Sequence, residues 1–191
     1  MKTRHGIAVA LTLLPALAVA HPGHELSAGS VMGLLHSLTG IDHLLAMLAV
    51  GAWAAQLGGG LRWWVPVSFV SLMLLSALLG MSGVQIGAVE QGIAASVCIL
   101  GLLLAAAVRL PAALCVLLAG GFALFHGYAH GVEAPQQANA MLYLAGFVCS
   151  TIALHVAGLV MGSGLRRYEQ HTALRWSGVA MTVGGLALFA A

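Results

Sequence analysis

From Ser30 onward, long apolar runs alternate with short polar breaks. Six runs stand out, near 30–57, 62–81, 84–108, 111–131, 138–162 and 172–190. The breaks read LGGGLR, GMSG, VRLP, GVEAPQQAN and GSGLRRYEQH, each carrying the Gly, Pro or charge that ends a helix. Each run approaches the roughly 20 residues a helix needs to cross a bilayer. The pattern predicts an all-α integral membrane protein, with a bundle of six transmembrane helices over 30–191 and no internal domain boundary. Small residues in GIAASVCILG and AGGFALFHG suit close helix packing in lipid.

The first 20 residues have a different pattern. Lys2 and Arg4 precede an apolar stretch from Ile7, which ends at Ala18-Val19-Ala20. That is the layout of a bacterial signal peptide. Ile7 to Ala20 is too short to span about 30 Å of hydrocarbon. Cleavage after Ala20 leaves 21–29 as a short segment outside the membrane; an uncleaved short anchor is the alternative.

Composition fits a membrane protein. The 191 residues are 61% hydrophobic and only 6% charged, with a mean hydropathy of +1.01; a soluble domain carries about 25% charged residues. The net charge of +2 forms no basic patch, so nucleic acid is not an expected partner. Cys98, Cys115 and Cys149 lie in apolar runs without a CxxC pair, which argues against a disulfide framework or a thiolate metal site. With His21 outside, the breaks at Arg62, Arg109 and Arg166-Arg167 fall on the cytoplasmic side. The outer breaks GMSG and GVEAPQQAN carry no Lys or Arg. This is the positive-inside pattern, with Trp63, Trp64 and Trp176 as the aromatic belt. It predicts a multi-pass protein of the bacterial inner membrane with both mature termini periplasmic.

Within the runs lie ionisable residues that are costly there, at least about 2.5–3.5 kcal/mol for a mid-membrane charge. They are His36, Asp42 and His43 on the first span, Glu90 on the third, His126 and His130 on the fourth with Glu133 just beyond, and His155 on the fifth. No Lys or Arg lies at matching depth to pair with Asp42 or Glu90, so a structural salt bridge explains them poorly. Imidazole with carboxylate suits a first-row divalent ion such as Ni²⁺, Co²⁺ or Zn²⁺. His126 and His130, at i and i+4, share one helix face. Asp42 and His43 point about 100° apart on an ideal helix, so they line two walls of a path or Asp42 orients a histidine. His36 and His43 are about 10 Å apart along a regular helix and would strain to hold one ion unless Thr39-Gly40 loosens it. The expected depths form a graded path: His36, Glu90, His130 and Glu133 outermost, Asp42, His43 and His126 deeper, His155 innermost. Interhelical hydrogen bonding is the plain alternative for any single histidine, above all His155. Glu133 also reads as a loop acid, and His5 and His171 as incidental.

The mature N-terminus HPGHE would offer the α-amine and imidazole of His21, then His24 and Glu25, as a capture segment. Pro22 has no amide N–H, which blocks the wrapping of deprotonated amides around an ion. A solvated tail is the alternative.

HPGH after a signal peptide, then LLHSLTGIDHLLAMLAVGAWAAQLGG, an acid on the third span and FHGYAHGVE together resemble the HupE/UreJ nickel permeases. The resemblance covers the whole chain. It departs at Ser37, where the family more often has proline. The resemblance implies uptake of Ni²⁺, with Co²⁺ as second candidate, alongside hydrogenase or urease maturation. It points to His36, Asp42, His43, His126 and His130.

The reading that follows is a secondary permease, not an enzyme, with the ion as cargo and no permanent cofactor. No P-loop is present, so ATP hydrolysis of that kind is excluded. Membrane potential or proton exchange is left as the driving force, and a homo-oligomer is compatible with the sequence. The rival is an intramembrane zinc-dependent hydrolase resembling ceramidases, which needs an open coordination position. A haem-binding subunit fits poorly, because histidines at i and i+4 on one helix cannot flank one haem.

Overall fold

The computed structural model describes residues 24–134 and 139–190, with side chains from Gly29 onward. The expected signal peptide and His21 lie outside them. Every regular element described is an α-helix: α1 (His24–Thr39), α2 (Ile41–Leu57), α3 (Leu61–Met81), α4 (Val89–Ala106), α5 (Ala112–Val132), α6 (Ala140–Arg167) and α7 (His171–Ala190). α3 to α7 are each long and apolar enough to cross a membrane. α1 and α2 form a sixth span only as a broken pair, meeting at 82°.

That break divides the expected run 30–57 at Thr39-Gly40, the pair whose loosening the sequence leaves open. Gly40 adopts extended backbone, φ −75° and ψ 113°. Thr39 Oγ1 donates to the His36 carbonyl at 3.0 Å, offering α1 a side-chain partner at its last turn. Glycine adds the backbone freedom that disfavours helix continuation. α1 also begins earlier than expected, at His24, so the described part of the expected capture segment, 24–29, is helical.

α4 starts later than expected, at Val89 rather than 84. Tyr128 on α5 ties down the segment before it: its hydroxyl donates to the Val84 carbonyl at 2.7 Å and accepts the Ile86 N–H at 3.1 Å. α6 has an ordinary cap, with the Asn139 side chain accepting the Met141 and Leu142 amides.

The helices pack mainly as α3 on α5, α4 on α7, and α6 against both α1 and α2. Glycine sets how close they come. A Cβ on Gly127 or Gly131 would strike the carbonyls of Met73 or Ala77 on α3. One on Gly33 or Gly146 would strike the facing backbone between α1 and α6. Such close approach replaces the hydrophobic drive that lipid removes. Trp53, Phe69, Met73, Leu100 and Phe147 fill the centre, while Leu75, Leu117, Val160 and Leu186 face outward, as lipid requires.

Candidate metal centre

The helix break builds the first part of the site. α2 restarts at Ile41, so Asp42 and His43 occupy its first turn. Asp42 Oδ1 accepts the His43 backbone N–H at 2.7 Å and the His43 Nδ1–H at 3.0 Å. The carboxylate therefore holds the ring and leaves Nε2 as the bare nitrogen. That Nε2 is buried without a partner. Of the two roles open to Asp42, this geometry matches the orienting one.

α5 supplies the second part. Gly127 and Gly131 press α5 onto α3, which turns the residues before them, His126 and His130, toward the interior. Both are essentially fully buried. Ser96 on α4 donates its hydroxyl to the Ile93 carbonyl at 2.7 Å. Its oxygen then accepts the His126 Nε2–H, also at 2.7 Å. His126 Nδ1 is left bare and unpartnered. Neither ring nitrogen of His130 has a partner. A buried polar atom without a partner is costly, and three such imidazoles side by side fit a cation better than they fit an apolar core.

The rings converge. His130 lies 4.2 Å from His43 and 4.9 Å from His36, centroid to centroid; His43 lies 4.7 Å from His126. The 82° bend resolves the spacing that kept His36 and His43 apart on a straight helix, because both now reach the same His130. His36 Nε2–H donates to Glu133 Oε2 at 2.7 Å. One ligand atom each from His36, His130 and Glu133 lie within 4.8 Å of one another.

Above the rings is a cavity of about 250 Å³ lined by His36, Asp42, His43, Glu90, His130 and Glu133. Three acids, from the starts of α2 and α4 and the end of α5, line it and give it a field that attracts cations. Thr39 and Gly40 line it too, so the negative end of α1 and the positive end of α2 meet there, and the carboxylates rather than the helix ends set the field. Glu90 falls in the first turn of α4, at the rim, in keeping with the outer position expected for it.

His155 stands apart. It is 3% exposed, and both its ring nitrogens lack partners. Phe69 lies between it and the cluster, 5.7 Å from His126 and 5.2 Å from His155. His24 opens α1.

A family model described as HupE / UreJ protein matches residues 9–188. The chain belongs to the HupE/UreJ family. It is also 41% identical over 180 residues to Protein HupE of Rhizobium leguminosarum bv. viciae, covering 94% of each chain. No solved structure matches. As a HupE/UreJ chain with these apolar helices, it is a multi-pass membrane protein. Two residues at the centre of this HupE/UreJ site carry no sequence signal. Ser96 and Phe69 belong to types that are ordinary in apolar helices, and only tertiary packing assigns them to the histidines.

Proposed function

We propose that this protein is a secondary importer of Ni²⁺, with Co²⁺ as the second candidate, across the bacterial inner membrane. The observation that carries this is the meeting of His36, His43, His126 and His130 beneath a cavity walled by Asp42, Glu90 and Glu133. Family membership supports the transporter class, and the mixed imidazole–carboxylate set suits a borderline divalent ion.

The acids at the mouth draw in the hydrated cation. The ion takes His36, His130 and Glu133 as ligands, and the proton that His36 Nε2 donates to Glu133 moves to Nδ1 as Nε2 turns to the ion. Asp42 keeps His43 Nε2 aimed inward, and Ser96 does the same for His126 Nδ1. The ion passes down these nitrogens and then past Phe69 to His155. Several weak stations in series release an ion that one tight site would hold. The arginines lie at the far end of the bundle, which supports a mouth on the periplasmic side with both mature termini there. His21 and His24 serve capture before the mouth. A membrane potential favours inward movement of a 2+ ion by about 4.6 kcal/mol per 100 mV, twice the value for one charge. Delivery then serves a nickel-enzyme maturation system inside the cell.

The test is flux into proteoliposomes of Ni²⁺, Co²⁺ and Zn²⁺ offered separately, for the wild type and for Asp42→Ala and His43→Ala. Saturable Ni²⁺ uptake lost in both variants is the expected result. No flux of any ion, with one Zn²⁺ retained per chain, would sink the importer and favour an intramembrane hydrolase.

A further inference from the structure

The end of the bundle away from the His36–His43–His126–His130 cluster carries another polar cavity, of about 170 Å³, lined in part by Gln56, Arg109, Arg166, His171 and Arg175. Along α2 it lies about 22 Å from Asp42, at 1.5 Å per residue. None of its lining residues is an acid. Among the described residues, neither ion pair involves an arginine.

Two of the three guanidinium groups are anchored by backbone. Arg166 donates to the carbonyls of Ala55 and Gln56 near the end of α2. Arg175 Nε donates to the Ala105 carbonyl near the end of α4 at 2.7 Å. Carbonyls there lack partners within their own helix, so the capping is accounted for. It leaves further guanidinium N–H groups for other acceptors. Arg109 caps nothing and pairs with no carboxylate among the described residues. α7 begins at His171 while α2, α4 and α6 end around the same space, so one positive and three negative helix ends meet there and the positive charge of the cavity comes from the arginines. A rule favouring cationic residues on one side explains their sign. It does not explain why three converge on one cavity.

Beside it runs an apolar groove of about 250 Å³ lined by Ala105, Thr172, Arg175, Trp176 and Val179. Arg175 borders both spaces, and Trp176 is well exposed beside it. A phosphate seated on the arginines would have its ester arm directed toward an apolar trough. That combination matches an amphiphile rather than a free ion.

We propose that this cavity binds the phosphate headgroup of an anionic phospholipid, with one acyl chain along the α4–α7 groove. Guanidinium groups present N–H donors in a planar fork suited to phosphate, and basic pockets between membrane helices bind such headgroups. A seated lipid would bridge the ends of α2, α4, α6 and α7. The proposal does not depend on which ion is carried.

Native mass spectrometry and thermal melting of the full chain in neutral detergent test it. The probes are dioleoylphosphatidylglycerol, dioleoylphosphatidylcholine and inorganic phosphate. The expected result is saturable retention of one phosphatidylglycerol per chain with a higher Tm, weakened about fivefold in Arg109→Gln and by less in Arg109→Lys. Arg167→Gln, at a position that does not line the cavity, stays within about twofold of wild type. Equal retention of both lipids, or an unchanged Arg109→Gln, overturns the site. Full stabilisation by inorganic phosphate alone overturns the lipid as occupant.

Discussion

Replacing Ser96 with Ala removes one oxygen from a fully buried position and tests how the His126 ring is held. In the native protein that oxygen accepts His126 Nε2–H at 2.7 Å. His126 is itself wholly buried, so the stranded N–H finds no water. A buried donor left unpaired costs about 1–3 kcal/mol. The ring escapes this cost by rotating or by moving its proton to Nδ1, and either change withdraws the bare Nδ1 from the path. At about 1 kcal/mol, the equilibrium constant for presenting Nδ1 falls about fivefold; loss of a residue that orients a metal ligand typically costs about 10–100-fold. The assay is the initial rate of Ni²⁺ uptake into proteoliposomes at subsaturating metal, with a thermal melt as the folding check. Ser96→Ala is expected to lose at least about fivefold in rate, and Ser96→Thr, which keeps the hydroxyl, to recover most of it. Wild-type uptake in Ser96→Ala alongside an inactive His126→Ala would refute the reasoning, because His126 would then act without being oriented.

Gly40→Ala places a Cβ 2.9 Å from Asp42 Oδ1 and favours a continuous helix by about 0.5–1 kcal/mol; Ni²⁺ uptake is expected to fall while the amount of folded protein in the membrane, read by size-exclusion chromatography, holds. Gly127→Ala drives a Cβ into the Met73 carbonyl, and overpacking of this kind costs about 1–3 kcal/mol; denaturation in mild detergent should show a lower Tm together with reduced uptake. Tyr128→Phe removes both bonds to the 84–88 segment, so its amides are expected to exchange with solvent several-fold faster by hydrogen-exchange mass spectrometry, while those of mid-α5 do not change.

The five unbroken apolar helices were legible because run length against bilayer thickness is a robust signal, and Gly, Pro and charge marked the turns. The break at Gly40 was only half legible. Apolar composition continues through 30–57, and a count of apolar residues is blind to one extended peptide unit. Thr39-Gly40 hinted at loosening, but the 82° angle comes from packing. The late start of α4 was hidden for a related reason. Val84 to Ala88 is mostly apolar, and what keeps it from joining the helix is a hydroxyl on α5, 44 positions away from Val84. The ionisable candidates were visible one by one because such residues are rare in lipid. Their grouping was partly visible, since i and i+4 paired His126 with His130. The link between His36 and Glu133, 97 positions apart, was not, and neither were Ser96 and Phe69.

That separation has a consequence for biosynthesis. The cavity draws its walls from α1, α2, α4 and α5, so no consecutive pair of spans carries the whole ligand set. A nascent chain with only its first spans inserted offers isolated imidazoles and carboxylates, which hold a divalent ion weakly. Under the proposed function, full chelation begins only once α5 has docked against the broken span, so unfinished or misassembled copies would not sequester a scarce metal and saturable metal binding by the purified protein would double as a readout of completed tertiary assembly.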